Sequence, residues 1–139
     1  MDDCYRVQTI PENAVMPKNI FLCNRQQTAF YLFVCSPFDA FRTAVFSKAL
    51  GVSRLSFGTA ERLQEMLGVA SGAVTPLALM FDEKKNVRLI LDQKLLQYEI
   101  FCFHPLVSDQ TVRIRKEDFL NVFLPYTGHE AEFVRVTEE

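Results

Sequence analysis

Tryptophan is absent from the 139 residues, histidine occurs twice and glycine five times. Two histidines without partnering spacing give no metal-ligand pattern. There is no phosphate loop of the G-x-x-x-x-G-K type. Ser-His-Asp order, Cys-His order and paired-carboxylate motifs are also missing. No apolar run approaches the roughly 18 residues of a membrane span. Met1-Asp2-Asp3 is acidic and precedes no apolar stretch of the signal-peptide kind, so a cytoplasmic protein is expected. Neither sign of charge dominates: 15 Lys and Arg stand against 17 Asp and Glu, a net charge of -2. A broad footprint on a nucleic-acid backbone, DNA included, is not predicted by that balance, although holding one end of such a chain needs only a few cations. The cysteines, Cys4, Cys23, Cys35 and Cys102, never fall at C-x-x-C spacing. They are expected as reduced thiols, with Cys35 and Cys102 acting as small buried hydrophobes inside apolar runs. The expectation is a protein without metal or cofactor.

What is present is a core former. Hydrophobic residues make up 49% of the chain, the mean hydropathy is +0.05, and thirteen phenylalanines promise an aromatic interior. The length suits one domain over residues 1–139. An irregular lead-in holds Pro11 and Pro17, with a short strand at Tyr5–Thr9. The apolar runs Ile20–Cys23 and Ala29–Cys35, split by the polar turn Asn24-Arg25-Gln26-Gln27, predict a hairpin. Pro37 is expected to start a helix whose inner face is Phe38, Phe41, Val45, Ala49 and Leu50, ended by Gly51. A short strand at Arg54–Phe57 follows. Thr59 then caps a second helix that runs to Leu67 and closes at Gly68, with Leu63, Met66 and Leu67 inward. Leu77–Phe81 reads as a strand, Asp82–Asn86 as a turn, and Val87–Leu91 as the partner strand of a second hairpin. Strands at Ile100–Phe103 and Thr111–Arg115, a helix at Lys116–Pro125 with Phe119, Leu120 and Phe123 inward, and a last strand at Glu132–Val136 complete the reading. The class is α+β, a mixed and mostly antiparallel sheet with flanking helices.

Several residues stand where chemistry is plausible. Lys18 precedes an apolar strand, where an ammonium at a pocket mouth can hold a phosphate or polarise an ester. Asn19 beside it can orient a hydroxyl or a water. In Gly72-Ala73-Val74-Thr75-Pro76 the glycine lets backbone come close to a ligand, the proline fixes the exit, and the intervening N–H groups can bind a carbonyl as charge develops on it. His104 lies between Phe103 and Pro105 at a strand end. His129, after Gly128, reads as a turn histidine.

This ordered set resembles the YbaK/ProX editing domains, which hydrolyse mischarged aminoacyl-tRNA, and within them the free-standing prolyl-tRNA editing proteins. The carriers are Lys18-Asn19, Gly72–Pro76, Phe103-His104 and Thr127-Gly128-His129-Glu130, supported by Arg54–Phe57, Glu61-Arg62-Leu63 and Leu67-Gly68. It extends over about residues 6 to 136. The resemblance implies a deacylase acting in trans, most of all on alanine attached to proline tRNA. Its partners would be the tRNA 3′ end and prolyl-tRNA synthetase. It implies Lys18, Gly72 and His104 as catalytic residues, with Asn19, Ala73, Thr75, Pro76 and Phe103 binding substrate. Alanine-specific relatives tend to carry Met at the Phe103 position, so a larger, stiffer aromatic bears on pocket size here. Relatives also tend to have a helix-and-strand segment before the lysine motif, where this sequence has seventeen residues. A shortened, non-catalytic relative that binds aminoacyl-tRNA ends or a synthetase is the alternative.

Overall fold

The computed structural model describes residues 13–38, 40–69, 74–103 and 111–135. The expected strand at Tyr5–Thr9 lies outside them. Strand β3 (Phe30–Cys35) is apolar and buried at all six positions. A strand covered on both faces shows no alternation, which is why its sequence reads as one continuous hydrophobic run. It pairs antiparallel with β2 (Lys18–Cys23), in a register that sets Lys18 opposite Cys35 and Cys23 opposite Phe30. The expected hairpin is therefore present. Its turn is closed by Asn24, whose Oδ1 accepts from the N–H groups of Thr28 and Ala29. Strand β4 (Ser56–Phe57) adds to the far side of β2, while β5 (Val87–Asp92) and β8 (Ala131–Val134) add parallel on the side of β3. The resulting five-stranded order is β4-β2-β3-β5-β8. A smaller sheet has the order β1-β6-β7, with β1 at Ala14–Val15, β6 at Ile100–Phe103 and β7 at Val112–Arg115. The class is α+β with mixed sheets, as expected.

Side chains alternate across the large sheet into two cores. One face sends Phe21, Leu32, Val34, Leu89 and Leu91 into a cluster shared with Val15, Phe101 and Phe103 of the small sheet, and with Leu63, Leu67, Phe119 and Leu124 of the helices. The other face packs Leu22, Phe33 and Ile90 against Phe46 of helix α1 (Thr43–Leu50). Phe33 and Phe46 meet with ring centroids 4.2 Å apart.

Helix α2 (Ala60–Leu67) forms where its signals put it. The Thr59 hydroxyl accepts from Arg62 N–H, Gly68 takes the left-handed conformation at φ 73°, and Leu63 and Leu67 are buried. Helix α1 ends at Gly51 as read, but it begins at Thr43 rather than at Pro37. The Ser36 hydroxyl accepts from Phe38 N–H in a local turn, and Phe38 is 80% exposed. Phe46 and Ser47 are the buried residues of α1, Leu50 and the preceding Phe41 pack against the same core as expected, and Ala49 is exposed. Ser47 Oγ donates to Thr43 O and accepts from Leu55 N–H, which ties the helix to the chain entering β4.

Leu77–Phe81 is not a strand. Residues Pro76–Phe81 form a 3₁₀ helix, with Thr75 Oγ1 accepting from Leu77 N–H and Pro76 in the first turn. A short apolar run is ambiguous by periodicity, and here the capping pair decides it. The second hairpin consequently does not exist, and Val87–Asp92 finds β3 as a parallel neighbour instead. A second 3₁₀ helix (Gln93–Gln97) leads from β5 to β6.

The last helical stretch runs through α3 (Lys116–Asp118), a wide π turn (Phe119–Phe123) and α4 (Leu124–Thr127). Leu124 N–H reaches back to Phe119 O, just before Pro125, which has no N–H to give. On β7 the expected buried face is incomplete, because Val112 is 38% exposed. The cysteines also depart from expectation. Cys23 is a free thiol and, like Cys35, is buried, but Cys102 is disulfide-bonded. Disulfides follow spatial approach, which sequence spacing does not report.

On the outer face, Arg88 clasps Glu132 across β5 and β8 with contacts of 2.6 and 2.9 Å, and lies 5.1 Å from the Tyr31 ring. Hydrogen bonding to Arg88 holds the Glu132 carboxyl below its ordinary value of 4.5. Such a depressed group stabilises the fold above its unfolded pKa, and the contribution fades as pH falls through the lower folded value. Both side chains are more than one-third exposed, which keeps the contribution under about 1 kcal/mol. Glu132→Gln is expected to lower the urea midpoint slightly at pH 7, with the difference from wild type vanishing well below pH 4.5. A gap that persists unchanged into strong acid would show that the pair is not its source.

Candidate functional site

Lys18 is the first residue of β2, partly exposed, and Asn19 follows it. Strand alternation groups Lys18 with Ile20 and Leu22 on the α1 side, and Asn19 with Phe21 and Cys23 on the side between the sheets. Nothing of β2 precedes Lys18, so its four-carbon stem is anchored where the Met16-Pro17 connection meets the sheet. Asn19 has a defined task. Its Nδ2 donates to the carbonyl of Val74 at 3.2 Å, fixing the strand that carries the lysine to the loop that carries the glycine motif. Because that bond sets the amide's orientation, Oδ1 faces the other way. Oδ1 is buried and has no hydrogen-bond partner among the described residues. An unpartnered buried acceptor is costly, and it marks a place where a ligand or water donor is wanted.

Thr75 is 0% exposed and Pro76 is buried. Both begin the 3₁₀ helix, and the Thr75 hydroxyl is already engaged in capping it. Their contribution is to hold the end of the loop rigid. Phe103 is 1% exposed and packs against Phe119 and Phe101 at centroid distances of 5.2 and 5.9 Å. It forms part of a wall and offers almost no open surface. The parallel register of β1 on β6 pairs Val15 with Phe101. β1 ends there, and the chain passes through Met16-Pro17 into β2. Lys18, Asn19 and Val74–Pro76 are thus gathered at one end of the large sheet, and Phe103 stands in the core between the sheets. Gly72, Ala73 and His104 lie outside the described residues.

His129 belongs elsewhere. It is buried, with Nε2 2.9 Å from Asp82 Oδ2 and Nδ1 2.9 Å from the Thr127 hydroxyl. Asp82 also accepts from the N–H groups of Asn86 and Val87. Val87 is level with Phe30 and Cys23, so this group sits at the opposite end of the sheet from Asn19, four strand residues or about 13 Å away. Sequence reading gave His129 a turn position and missed Asp82, whose only signal was an acid before a turn. A cleft of about 310 Å³ opens at that end, lined by Glu65, Met66, Phe81, Asp82, Glu83, Lys84 and Asn86, and includes none of Lys18, Asn19, Thr75 or Pro76. Among the described residues no group of three His, Cys, Asp or Glu is placed to hold a metal. No helix among them is long and apolar enough to cross a membrane.

The sequence profile of the aminoacyl-tRNA editing domain matches residues 1–122. The chain belongs to that family. It is 30% identical over 101 residues to the prolyl-tRNA editing protein ProX of Acetoanaerobium sticklandii, covering 73% of this chain and 62% of that one. It is 34% identical over 121 residues to the prolyl-tRNA synthetase associated domain-containing protein 1 of Danio rerio, covering 84% of this chain and 64% of that one. The chain therefore spans a little under two thirds of the length of both relatives. A solved structure described as a candidate trans-editing enzyme for prolyl tRNA synthetase superposes with a TM-score of 0.65 at 19% identity, over 96% of this chain and 77% of that one. This editing domain thus shares its fold with that structure.

Two outcomes test the geometry. In Asn19→Asp the donor to Val74 O is removed and a carboxylate faces a carbonyl. Unfolding free energy should fall by about 1–3 kcal/mol, and amide exchange at Val74 and Leu77 should quicken. Unchanged exchange there would refute the tether. In His129→Ala, Asp82 and Thr127 each lose a buried partner, and urea denaturation should report a loss of about 1–3 kcal/mol. A variant as stable as wild type would show that the pair contributes nothing net.

Proposed function

We propose that this editing domain is a trans-acting aminoacyl-tRNA deacylase, which frees amino acids wrongly esterified to proline tRNA, alanine above all. The observation that carries the reading is the Asn19–Val74 hydrogen bond. It fixes the lysine strand to the glycine-motif loop and leaves a buried acceptor without a partner among the described residues.

The reaction needs little apparatus, since an ester is an activated acyl group. Water attacks the ester carbonyl, the acyl carbon becomes tetrahedral, and its oxygen takes the charge. The bond to the ribose oxygen then breaks, and that oxygen leaves with a proton, giving free amino acid and a tRNA with an open 3′ end. Backbone N–H groups of the Gly72–Pro76 loop receive the developing oxyanion, the kind of preorganised help that a side-chain nucleophile is not required to supplement. Lys18 supplies the fixed positive charge for the terminal phosphate or the polarised ester. Asn19 Oδ1 accepts from the attacking water or from the neighbouring ribose hydroxyl. His104 contacts the aminoacyl group or the terminal adenosine. Phe103, held by Phe101 and Phe119, limits the side chain admitted. Discrimination by one methyl group is worth only about 1–3 kcal/mol, so alanine is a preference within a class of small residues. The partners are the 3′ end of mischarged tRNA and prolyl-tRNA synthetase, which makes the substrate.

The test is hydrolysis of alanyl-tRNA made on proline tRNA, with seryl- and cysteinyl-tRNA in parallel, by wild type and Lys18→Ala. Wild type should release alanine, and Lys18→Ala should be slower by about 100-fold or more with an unchanged melting temperature. A folded wild type that leaves every ester intact would overturn the reading in favour of a non-catalytic relative that binds tRNA ends.

A further inference from the structure

Among the described residues, β7 is the outer strand of the small sheet and pairs with β6 alone, so one backbone edge of Val112–Arg115 has no described strand beside it. Arg113, Arg115 and Lys116 place three cations within four residues, with no acid among them, in a chain whose net charge is -2. Arg113 and Arg115 are both exposed and fall on the same face of the strand, about 7 Å apart along it. Arg115 has a loose partner in Asp118 at 3.6 Å, and Lys116 Nζ donates to the carbonyl of Leu96. Arg113 makes no ion pair among the described residues.

Position gives these cations a use. The β6–β7 register sets Arg113 opposite Cys102 and Val112 opposite Phe103. On the other side of β6, β1 pairs with it and ends at Val15, three residues before Lys18. Arg113 therefore lies two strand spacings, about 10 Å, across the sheet from β1, whose chain continues through Met16-Pro17 to Lys18. Val112 lies on the other face of the strand and is 38% exposed. A guanidinium pair two residues apart on one face of an outer strand fits successive phosphates of a phosphodiester backbone.

We propose that the β7 edge is the track along which the 3′-terminal strand of an RNA approaches Lys18, with Arg113 as its main phosphate contact and Arg115 as the second. The proposal rests on the deacylase reading above for the direction of approach, while its readout is binding. The probe is a deacylated RNA hairpin ending in single-stranded CCA, followed by fluorescence anisotropy across a salt series. Arg113→Glu/Arg115→Glu should weaken binding by about 10-fold or more in low salt, and the slope of log Kd against log salt should flatten by about 0.7–0.9 for each arginine that no longer holds a phosphate. Arg113→Gln/Arg115→Gln should show a smaller loss in the same direction, and circular dichroism should match wild type for both. In hydrolysis assays the loss should fall on KM, with kcat retained.

Unchanged RNA affinity in the charge-reversed protein would overturn the proposal. So would charge reversal that leaves affinity alone and drives self-association, since the arginines would then serve only to keep a strand edge from pairing. A lowered kcat with unchanged KM and affinity would place these residues in the chemistry instead, and would also overturn it. The two readings fail separately. RNA binding that depends on Arg113, without hydrolysis of any ester, would sustain the track and remove the enzyme. Hydrolysis that depends on Lys18, with RNA affinity indifferent to Arg113, would do the reverse.

Discussion

The pairing of β3 with its two neighbours is the constraint from which the rest of the molecule takes its position. Six consecutive buried apolar residues can satisfy their backbone groups only as an interior strand, with β2 on one side and β5 on the other. That register sets Lys18 and Asn19 at one end of the sheet, level with Cys35 and Val34. It also sends the side chains of β3 alternately into the core under α1 and the core between the sheets. The second core then receives β6 and the closing helices, and so determines where Phe103 can lie.

What was legible in the sequence was whatever depended on neighbours along the chain. The β2–β3 hairpin, the Thr59 cap, the glycine stops at Gly51 and Gly68, and the Asp82–Asn86 turn are all local, and all stand as read. The failures have physical causes. Leu77–Phe81 has the composition of a buried strand, but Thr75 and Pro76 satisfy the start of a helix, and that signal was written plainly in the sequence. Pro37 suits a first helical turn, yet Ser36 draws the chain into a local bend and the helix waits for Thr43. The parallel partners of β5 and the bond at Cys102 were not legible, because both depend on segments far apart in sequence.

The candidate site divides along the same line. Its residue types were readable, because glycine, proline and a lysine before a strand each have a local meaning. Its wiring was not. Nothing in the order Lys18-Asn19 says that the amide of Asn19 will bridge to Val74, 55 positions away. Nor does the position of His129 in a turn disclose that a buried carboxylate holds it, on the far side of the sheet from Asn19.

The parallel strands carry a consequence for how the molecule reaches its native state. The β2–β3 hairpin closes through a short turn, so it can form early and by itself in part. By contrast, β5 finds β3 only after α1, α2 and the first 3₁₀ helix have been threaded between them. In the same way β8 finds β5 only after β6, β7 and the closing helices. Loop closure must precede the contacts that reward it, which makes such pairings slow. Until β5 and β8 arrive, the free edge of β3 exposes an entirely apolar strand, the part of this chain most open to pairing with another copy during synthesis.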